Sequence, residues 1–233
     1  MLSHYTWSHS LDNASNESAP FAPSLFIDPN EDRGSSDFDI RHNFSLALSY
    51  DLPRLRTRNI GEALLRNWTI QTFVTARSAP PVNVVSFRDL GFGSFNLRPD
   101  SIENQPLYIS DSNVGGGKRF NPAAFRVPTG ARQGSLGRNV LRGFPLFQTD
   151  LGVARSFPIR EKFSIEFKAE VFNLFNHPNF GNPDPDVTSV DTFGKSFRML
   201  GRDLGSGGTL GGLSPLYQVG GPRSIQLSLR AQF

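Results

Sequence analysis

The sequence contains no cysteine and no long apolar run, and it has nearly equal numbers of basic and acidic residues. The absence of cysteine excludes a disulfide framework and a thiolate metal site, but it is neutral about the compartment. Without a stretch of about 18 apolar residues, a membrane-spanning helix is not expected. The formal charge of +3, from 24 basic and 21 acidic residues, is too balanced to predict binding to nucleic acid.

A secretory signal is also missing from the first residues, MLSHYTWSHSLDN, which have neither a basic segment nor an apolar segment. Residues 2–10 instead resemble the end of a strand, with Tyr5 and Trp7 on one face. We therefore expect Met1 to be an arbitrary start and any signal peptide to lie outside this chain.

The composition favours strands joined by loops. Only 37% of the residues are hydrophobic, while the chain has 22 glycines, 17 prolines and 21 phenylalanines. Abundant glycine and proline with many aromatics are typical of strands and long loops rather than helices. Alternation of apolar and polar residues predicts six strands: residues 2–10, 38–52, 68–76, two arms within 146–176, and 223–233.

The hairpin predicted at 146–176 is the most informative stretch. In its second arm apolar and polar residues alternate, so the strand has one apolar and one charged face. The apolar face consists of Phe163, Ile165, Phe167, Ala169 and Val171, and the other face of Ser164, Glu166, Lys168 and Glu170. Pro158 to Glu161 is the predicted connection, and arms of roughly ten residues suit a tilted strand that crosses a bilayer. A helix over the second arm stays open, because Phe163, Phe167 and Val171 also fit a helical stripe. The phenylalanine content favours the strand.

The lengths of the connections indicate a membrane barrel. They run long, medium, long, short, long, and in an up-and-down sheet the three long segments, 9–36, 78–145 and 177–221, lie at the same end. Outer-membrane barrels have short periplasmic turns and long external loops, whereas a soluble β-sandwich has no reason to sort its loops. We expect Tyr50, Trp68 and Phe157 in the interfacial aromatic girdles.

Six strands cannot close such a barrel, because the smallest natural barrels have about eight. An open sheet in hydrocarbon would leave unpaired edges. The chain is therefore expected to be the C-terminal part of a larger barrel, or a subunit that assembles with others.

The motifs for bound groups are weak. The segment GGGKR, Gly115 to Arg119, differs from a phosphate-binding loop in two positions. Ser112 stands where the first glycine is required, and Arg119 stands where a Ser or Thr would bind magnesium. A flexible loop is the better interpretation. Asp184, Asp186 and Asp191 could hold calcium, but the glycine and closing glutamate of a calcium loop are missing, and a solvated external loop is favoured. The four histidines, His4, His9, His42 and His177, lack metal-ligand spacing.

Catalysis is not predicted. Serine, histidine and aspartate occur at no recognisable catalytic spacing. We therefore expect no enzyme activity, no catalytic, cofactor-binding or metal-binding residues, and no cofactor, and individual ligand-binding residues stay unknown.

Several segments resemble a known family. DIRHNFSLALSYDLP (39–53), FNPAAFRVPTGARQGSLGRNVLRGF (120–144), DLGVARSFPI (150–159), EFKAEVFNLFNHPNFG (166–181) and the closing RSIQLSLRAQF are similar to the last part of TonB-dependent receptor-like, or Oar-like, outer-membrane proteins. The likeness extends over nearly the whole chain, and FNLFNHPNFG and the FNPAAF to GRN loop are its most specific parts.

The resemblance implies a 22-stranded barrel, closed by a plug domain, that takes up a ligand with energy from TonB in the outer membrane of a Gram-negative bacterium. Residues 1–233 would form the C-terminal portion, without plug or signal peptide. The implied partners are outer-membrane lipid, the TonB complex through N-terminal parts outside this chain, a small-molecule or peptide ligand, and the barrel-assembly machinery through Phe233. A non-transporting structural or adhesive surface protein and a soluble β-sandwich binding module stay open as alternatives.

Overall fold

Six antiparallel strands form the main sheet of this computed structural model, which describes residues 1–15, 28, 30–53, 66–91, 93–160, 163–203 and 219–233. The strands are β1 (Leu2–Trp7), β2 (His42–Asp51), β3 (Trp68–Arg77), β4 (Leu146–Arg160), β5 (Phe163–Phe172) and β6 (Ser224–Gln232). They lie side by side in the order in which they occur in the chain. The predicted all-β, up-and-down architecture is therefore confirmed, and β1 and β6 are the two edges of an open sheet.

This order places the three long connections at one end. Residues 8–41, 78–145 and 173–223 all leave the sheet on the side of Trp7 and His42, which pair with each other. The connections after β2 and β4 lie at the opposite end. The predicted sorting of the loops is confirmed, since consecutive antiparallel strands put every second connection on the same side.

The sheet has one apolar and one polar face. Pairing across the strands continues the apolar face from one strand to the next, as in the row formed by Ile70, Val153, Ala169 and Leu227. The neighbouring row on the other face contains Gln71, Gly152, Glu170 and Gln226. Large apolar side chains stay exposed on the first face; Leu227 is 65% exposed and Leu229 73%. A transmembrane barrel turns such a face to lipid and its polar face to the lumen.

All six predicted strands are present, but several boundaries differ. The first strand, predicted over 2–10, ends at Trp7, and the second arm of the hairpin ends at Phe172 rather than 176. The strand predicted from Phe38 begins at His42, because the preceding residues turn: the Asp39 amide donates to the Ser36 carbonyl and the Ile40 amide to the Phe38 carbonyl. The turn predicted at Pro158 to Glu161 is wrong in position, since β4 continues to Arg160 with a β-bulge after Pro158. The helix considered for the second arm is excluded by its pairing on both sides.

The long connections contain short ordered elements that alternation does not predict. Antiparallel pairs join Leu11–Asp12 to Gly34–Ser35, Pro81–Val82 to Leu141–Arg142, Ser86–Asp89 to Ser94–Leu97, Asp100–Ser101 to Phe125–Arg126, and Tyr108–Ser110 to Lys118–Phe120. Two 3-10 turns, Gly115–Gly117 and Pro122–Ala124, and one short helix, α1 (Leu200–Asp203), complete them. The apolar spacing of IGEALL (60–65) is compatible with a helical turn, and SLFI (24–27) is a short apolar run within a polar loop; both segments lie outside the described residues. No described helix has the length and apolar character needed to span a bilayer.

These connections contain the hydrophobic core. We call the described residues of 8–41, 78–145 and 173–223 the cap. Its buried cluster consists of Val82, Val84, Phe120, Ala124, Phe125, Leu136, Leu141 and Phe193. Phe193 packs edge-on against Phe125, with ring centroids 5.5 Å apart. The sheet faces lipid and lumen, whereas the cap buries its own apolar residues.

Two neighbouring positions of β6 test the assignment of the faces. We expect Leu227→Lys to destabilise the folded barrel by about 2–4 kcal/mol, because it places a charge on the lipid side. Gln226→Lys should change stability by less than about 1 kcal/mol, since Gln226 lies opposite Glu170 on the polar face. Urea unfolding in lipid vesicles measures both variants, and equal destabilisation would contradict the assignment.

Candidate functional site

A hollow of about 610 Å³ lies against the polar face of the sheet, at the end covered by the cap. Five strands and the cap contribute to its lining, which includes Leu2, Ala47, Ser49, Gln71, Phe73, Gln148, Asp150, Glu170, Phe172 and the cap residue Val219. Amide and carboxylate groups here lie beside two phenylalanine rings. Such a mixture offers hydrogen bonds and apolar contact to a small polar molecule, as ligand sites commonly do.

The cap is fastened to this face by side-chain amides. The Gln148 side chain donates to Asp150 over 2.8 Å and accepts from the Gly220 amide over 2.8 Å. Asp150 accepts from the Asn173 amide, also at 2.8 Å, and the Asn173 side chain donates to the Gly221 carbonyl at 2.9 Å. Gln148 and Asn173 are almost fully buried. The end of the third long connection is therefore held over the hollow.

A second group of contacts holds residues 8–41 on residues 78–145. The first segment carries seven acidic and two basic residues, and the second carries eight basic and four acidic residues. Three arginines of the second segment each bind a carboxylate of the first: Arg98 binds Asp32, Arg138 binds Asp12 at 2.5 Å, and Arg142 binds Asp39 at 2.6 Å. The two segments therefore carry opposite net charges and are joined by ion pairs.

Asp39 is the centre of this arrangement. Its side chain is fully buried and accepts hydrogen bonds from Arg142, from Arg41 at 2.8 Å and from the Ser10 amide at 3.0 Å. Burial alone would raise the pKa of this carboxyl, but the bonds from Arg142, the Ser10 amide and Arg41 outweigh it and hold the pKa far below its usual value. The carboxylate therefore stays charged wherever the cap is folded.

The pKa values of two other carboxyls of the cap are also lowered by bonds to arginine. Burial opposes the charge on Asp12, yet bonds from Arg138 and Ser15 lower its pKa overall. At the outer part of the cap, a two-pronged bond from Arg132, at 2.7 and 2.9 Å, lowers the pKa of Asp100. These acids serve as anchors for arginine rather than as proton donors or acceptors.

The glycine triplet has a structural role. Gly115–Gly117 forms a 3-10 turn in which Gly116 has a positive φ. A Cβ at Gly116, where φ is +78°, would lie 2.2 Å from the Phe144 ring. The Lys118 ammonium lies 5.1 Å from the centre of the Tyr108 ring. Close packing explains Gly115 and Gly116, a φ of +68° explains Gly117, and the lysine contacts aromatic rings.

The three aspartates considered for calcium are used within turns. Asp184 accepts from the Asp186 amide and from the Thr192 hydroxyl, and Asp186 accepts from the amide and hydroxyl of Thr188. Asp191 contributes its main-chain carbonyl to Lys195. Within the described ranges, no three acidic or histidine side chains are grouped as a metal site.

The histidines are dispersed in space as in sequence. His42 bonds through Nδ1 to the Tyr5 hydroxyl at 2.8 Å, and His4 lies 3.4 Å from the Thr6 hydroxyl. His177 contributes its main chain to Asn173. The residues that sequence reasoning missed are instead the buried Arg98 and Arg138, the partly buried Arg142, and the amides of Gln148 and Asn173. The opposite charges of segments 8–41 and 78–145 were the available signal for the arginines.

The sheet is antiparallel, with one exposed apolar face, one polar face and all long connections at one end. These features define an outer-membrane β-barrel protein. A comparison with family models agrees: residues 1–202 match the outer membrane beta barrel domain, and the chain belongs to that family. The protein is located in the outer membrane of a Gram-negative bacterium, and the soluble β-sandwich alternative is excluded. Searches of curated proteins and of solved structures found no match.

Acidification and Asp39→Asn test the ion pairs of the cap. A carboxyl with a lowered folded pKa adds stability above its unfolded value, near 3.8, and loses it as the pH falls toward the folded value. We expect Asp39→Asn to weaken docking of segment 8–41 by about 3 kcal/mol at neutral pH, because a buried charge loses its partner. Hydrogen exchange of the Ser10 and Ser36 amides measures this change, and the variant should respond less to acid below about pH 4.

Asp37→Asn is the matched control. Asp37 is half exposed and lies 3.4 Å from Arg138, so its loss should cost less than about 1 kcal/mol. Equal exchange rates in the two variants would show that burial of Asp39 does not determine the strength of docking.

Proposed function

We propose that this chain is part of a TonB-dependent receptor-like outer-membrane protein, of the Oar-like kind, that binds a ligand at its cap and takes it up through the barrel. The observation that carries this proposal is the folded cap, which lies over a polar hollow on the lumenal face. A barrel with merely structural loops has no need for a buried core and buried ion pairs at one rim. Fixed loops above a polar cavity suit selection of a ligand before it enters.

The lining of the hollow supports a small polar molecule or a peptide as the ligand. Gln71 offers an amide, Asp150 and Glu170 offer carboxylates, and Phe73 and Phe172 offer apolar contact. Peptides and other polar metabolites present the donors that such groups bind. The proposal includes no catalytic residue, no cofactor and no nucleic acid. It places contact with the TonB complex and the plug domain in parts of the protein outside this chain.

A structural or adhesive surface protein is the second candidate. Exposed apolar side chains on the cap favour it: Val190 is 80% exposed, Phe175 69%, Phe197 63% and Phe87 56%. Apolar groups on an external surface are suited to contact with another surface.

Growth of a deletion strain distinguishes the two functions. We expect a strain without the gene to lose growth on one class of peptide or other polar nutrient, and a strain without TonB to lose it as well. Restoring the gene should restore growth. Unchanged growth on every nutrient, together with reduced attachment to surfaces, would instead support the adhesive function.

We also propose that the barrel-assembly machinery recognises Phe233. Its ring stacks on Phe163, with centroids 5.8 Å apart, so a variant at Phe233 also loses a packing contact. Phe163→Ala removes the same stack and keeps the terminal aromatic, which makes it the matched control. We expect Phe233→Ala to reduce the folded protein in the outer membrane severalfold and Phe163→Ala to reduce it little. Similar amounts of the two variants would contradict recognition of Phe233.

A further inference from the structure

One charged side chain interrupts the apolar face of the sheet. Between the cap and the β-bulge after Pro158, Arg155 is the only lysine, arginine, aspartate or glutamate on that face of the described strands. Its neighbours across the ladders are Trp68 and Phe167. A full charge on a lipid-facing surface is costly, so such a residue is expected to have a function.

The guanidinium of Arg155 lies between two aromatic rings. Its central carbon is 4.7 Å from the centre of the Phe157 ring and 5.2 Å from that of the Trp68 ring, and the side chain is half-buried. Contact with ring faces holds a guanidinium in place, while its five N–H donors stay in the plane of the group. The edge of a guanidinium is suited to the oxygens of a phosphate.

The position of Arg155 places this edge at the membrane boundary. Trp68 is the first residue of β3, and Tyr50 lies next to the last residue of β2, at the end of the sheet away from the cap. The expected girdle residues Tyr50, Trp68 and Phe157 thus lie near one another at this end. In outer-membrane barrels the end away from the long loops faces the periplasm, where lipid phosphates lie at the level of the aromatic girdle.

We propose that Arg155, Trp68 and Phe157 form a binding site for the phosphodiester headgroup of a phospholipid in the periplasmic leaflet. The guanidinium contributes the charge that the phosphate requires, and the lipid-facing side of the sheet brings the headgroup to it. Trp68 and Phe157 orient the arginine, and their rings also contact the upper part of the acyl chains. The site fastens one lipid to the strand pair β3 and β4.

Native mass spectrometry of the complete, detergent-purified protein tests the site, with phosphatidylglycerol as the probe. We expect Arg155→Gln to retain phosphatidylglycerol roughly tenfold less well, since one charge-assisted contact is lost. Arg230→Gln is the matched control: it also removes one arginine, but from the polar face, opposite Glu166, and should retain the lipid as the unaltered protein does. Equal retention by the Arg155→Gln variant, or an equal loss in both variants, would overturn the proposal.

Two further probes separate recognition of the headgroup from binding of acyl chains or of free phosphate. Diacylglycerol with the same acyl chains should be retained poorly, and excess inorganic phosphate should not displace phosphatidylglycerol. Equal retention of diacylglycerol would overturn a phosphate site, and displacement by inorganic phosphate would overturn a lipid site.

If Arg155→Gln does not fold, Arg155→Lys replaces it and should bind severalfold more weakly, because lysine cannot form a two-pronged bond. Unchanged binding by that variant would also contradict the proposal.

Discussion

Backbone N–H and C=O groups that meet hydrocarbon must find partners within the protein, because no water is present to bind them. This requirement explains why each of β2 to β5 pairs with a neighbouring strand on both sides. One face meets lipid and the other a polar lumen, so apolar residues of the strands stay exposed, as at Leu229. Hydrophobic burial is left to the long connections, where water surrounds the chain.

The cap joins its parts in two different ways. Segments 78–145 and 173–203 share a buried apolar cluster in which Phe193 contacts Phe120 and Phe125. The described residues of 8–41 contribute no member of this cluster, and their buried residues are Asp32, Ser36 and Asp39. Buried ion pairs give orientation more than net stability, because desolvation offsets much of the attraction. Segment 8–41 is therefore positioned accurately by charge, whereas the rest of the cap is stabilised by packing.

The strands could be predicted from the sequence because each carries its own local signal. Alternation over ten residues, as in Phe163–Phe172, sets both the element and its faces. The start of β2 was placed too early because Phe38 and Ile40 continue the alternation while hydrogen bonds among Ser36, Phe38 and Asp39 turn the chain. The cap could not be predicted in this way. Its ladders are mostly two or three residues long, and its ion pairs join residues far apart, such as Asp12 and Arg138, which no local period connects.

The separate core of the cap also constrains how the protein is made. Long connections reach the cell surface by passing through or beside a barrel that is still being formed. A globule with packed phenylalanine rings is wider than an extended chain, so we expect residues 78–145 to cross unfolded and to form their core on the far side. The amide contacts from Gln148 and Asn173 to Gly220 and Gly221 then join the two parts. We therefore expect the core of the cap to be the part of this chain that folds only after secretion.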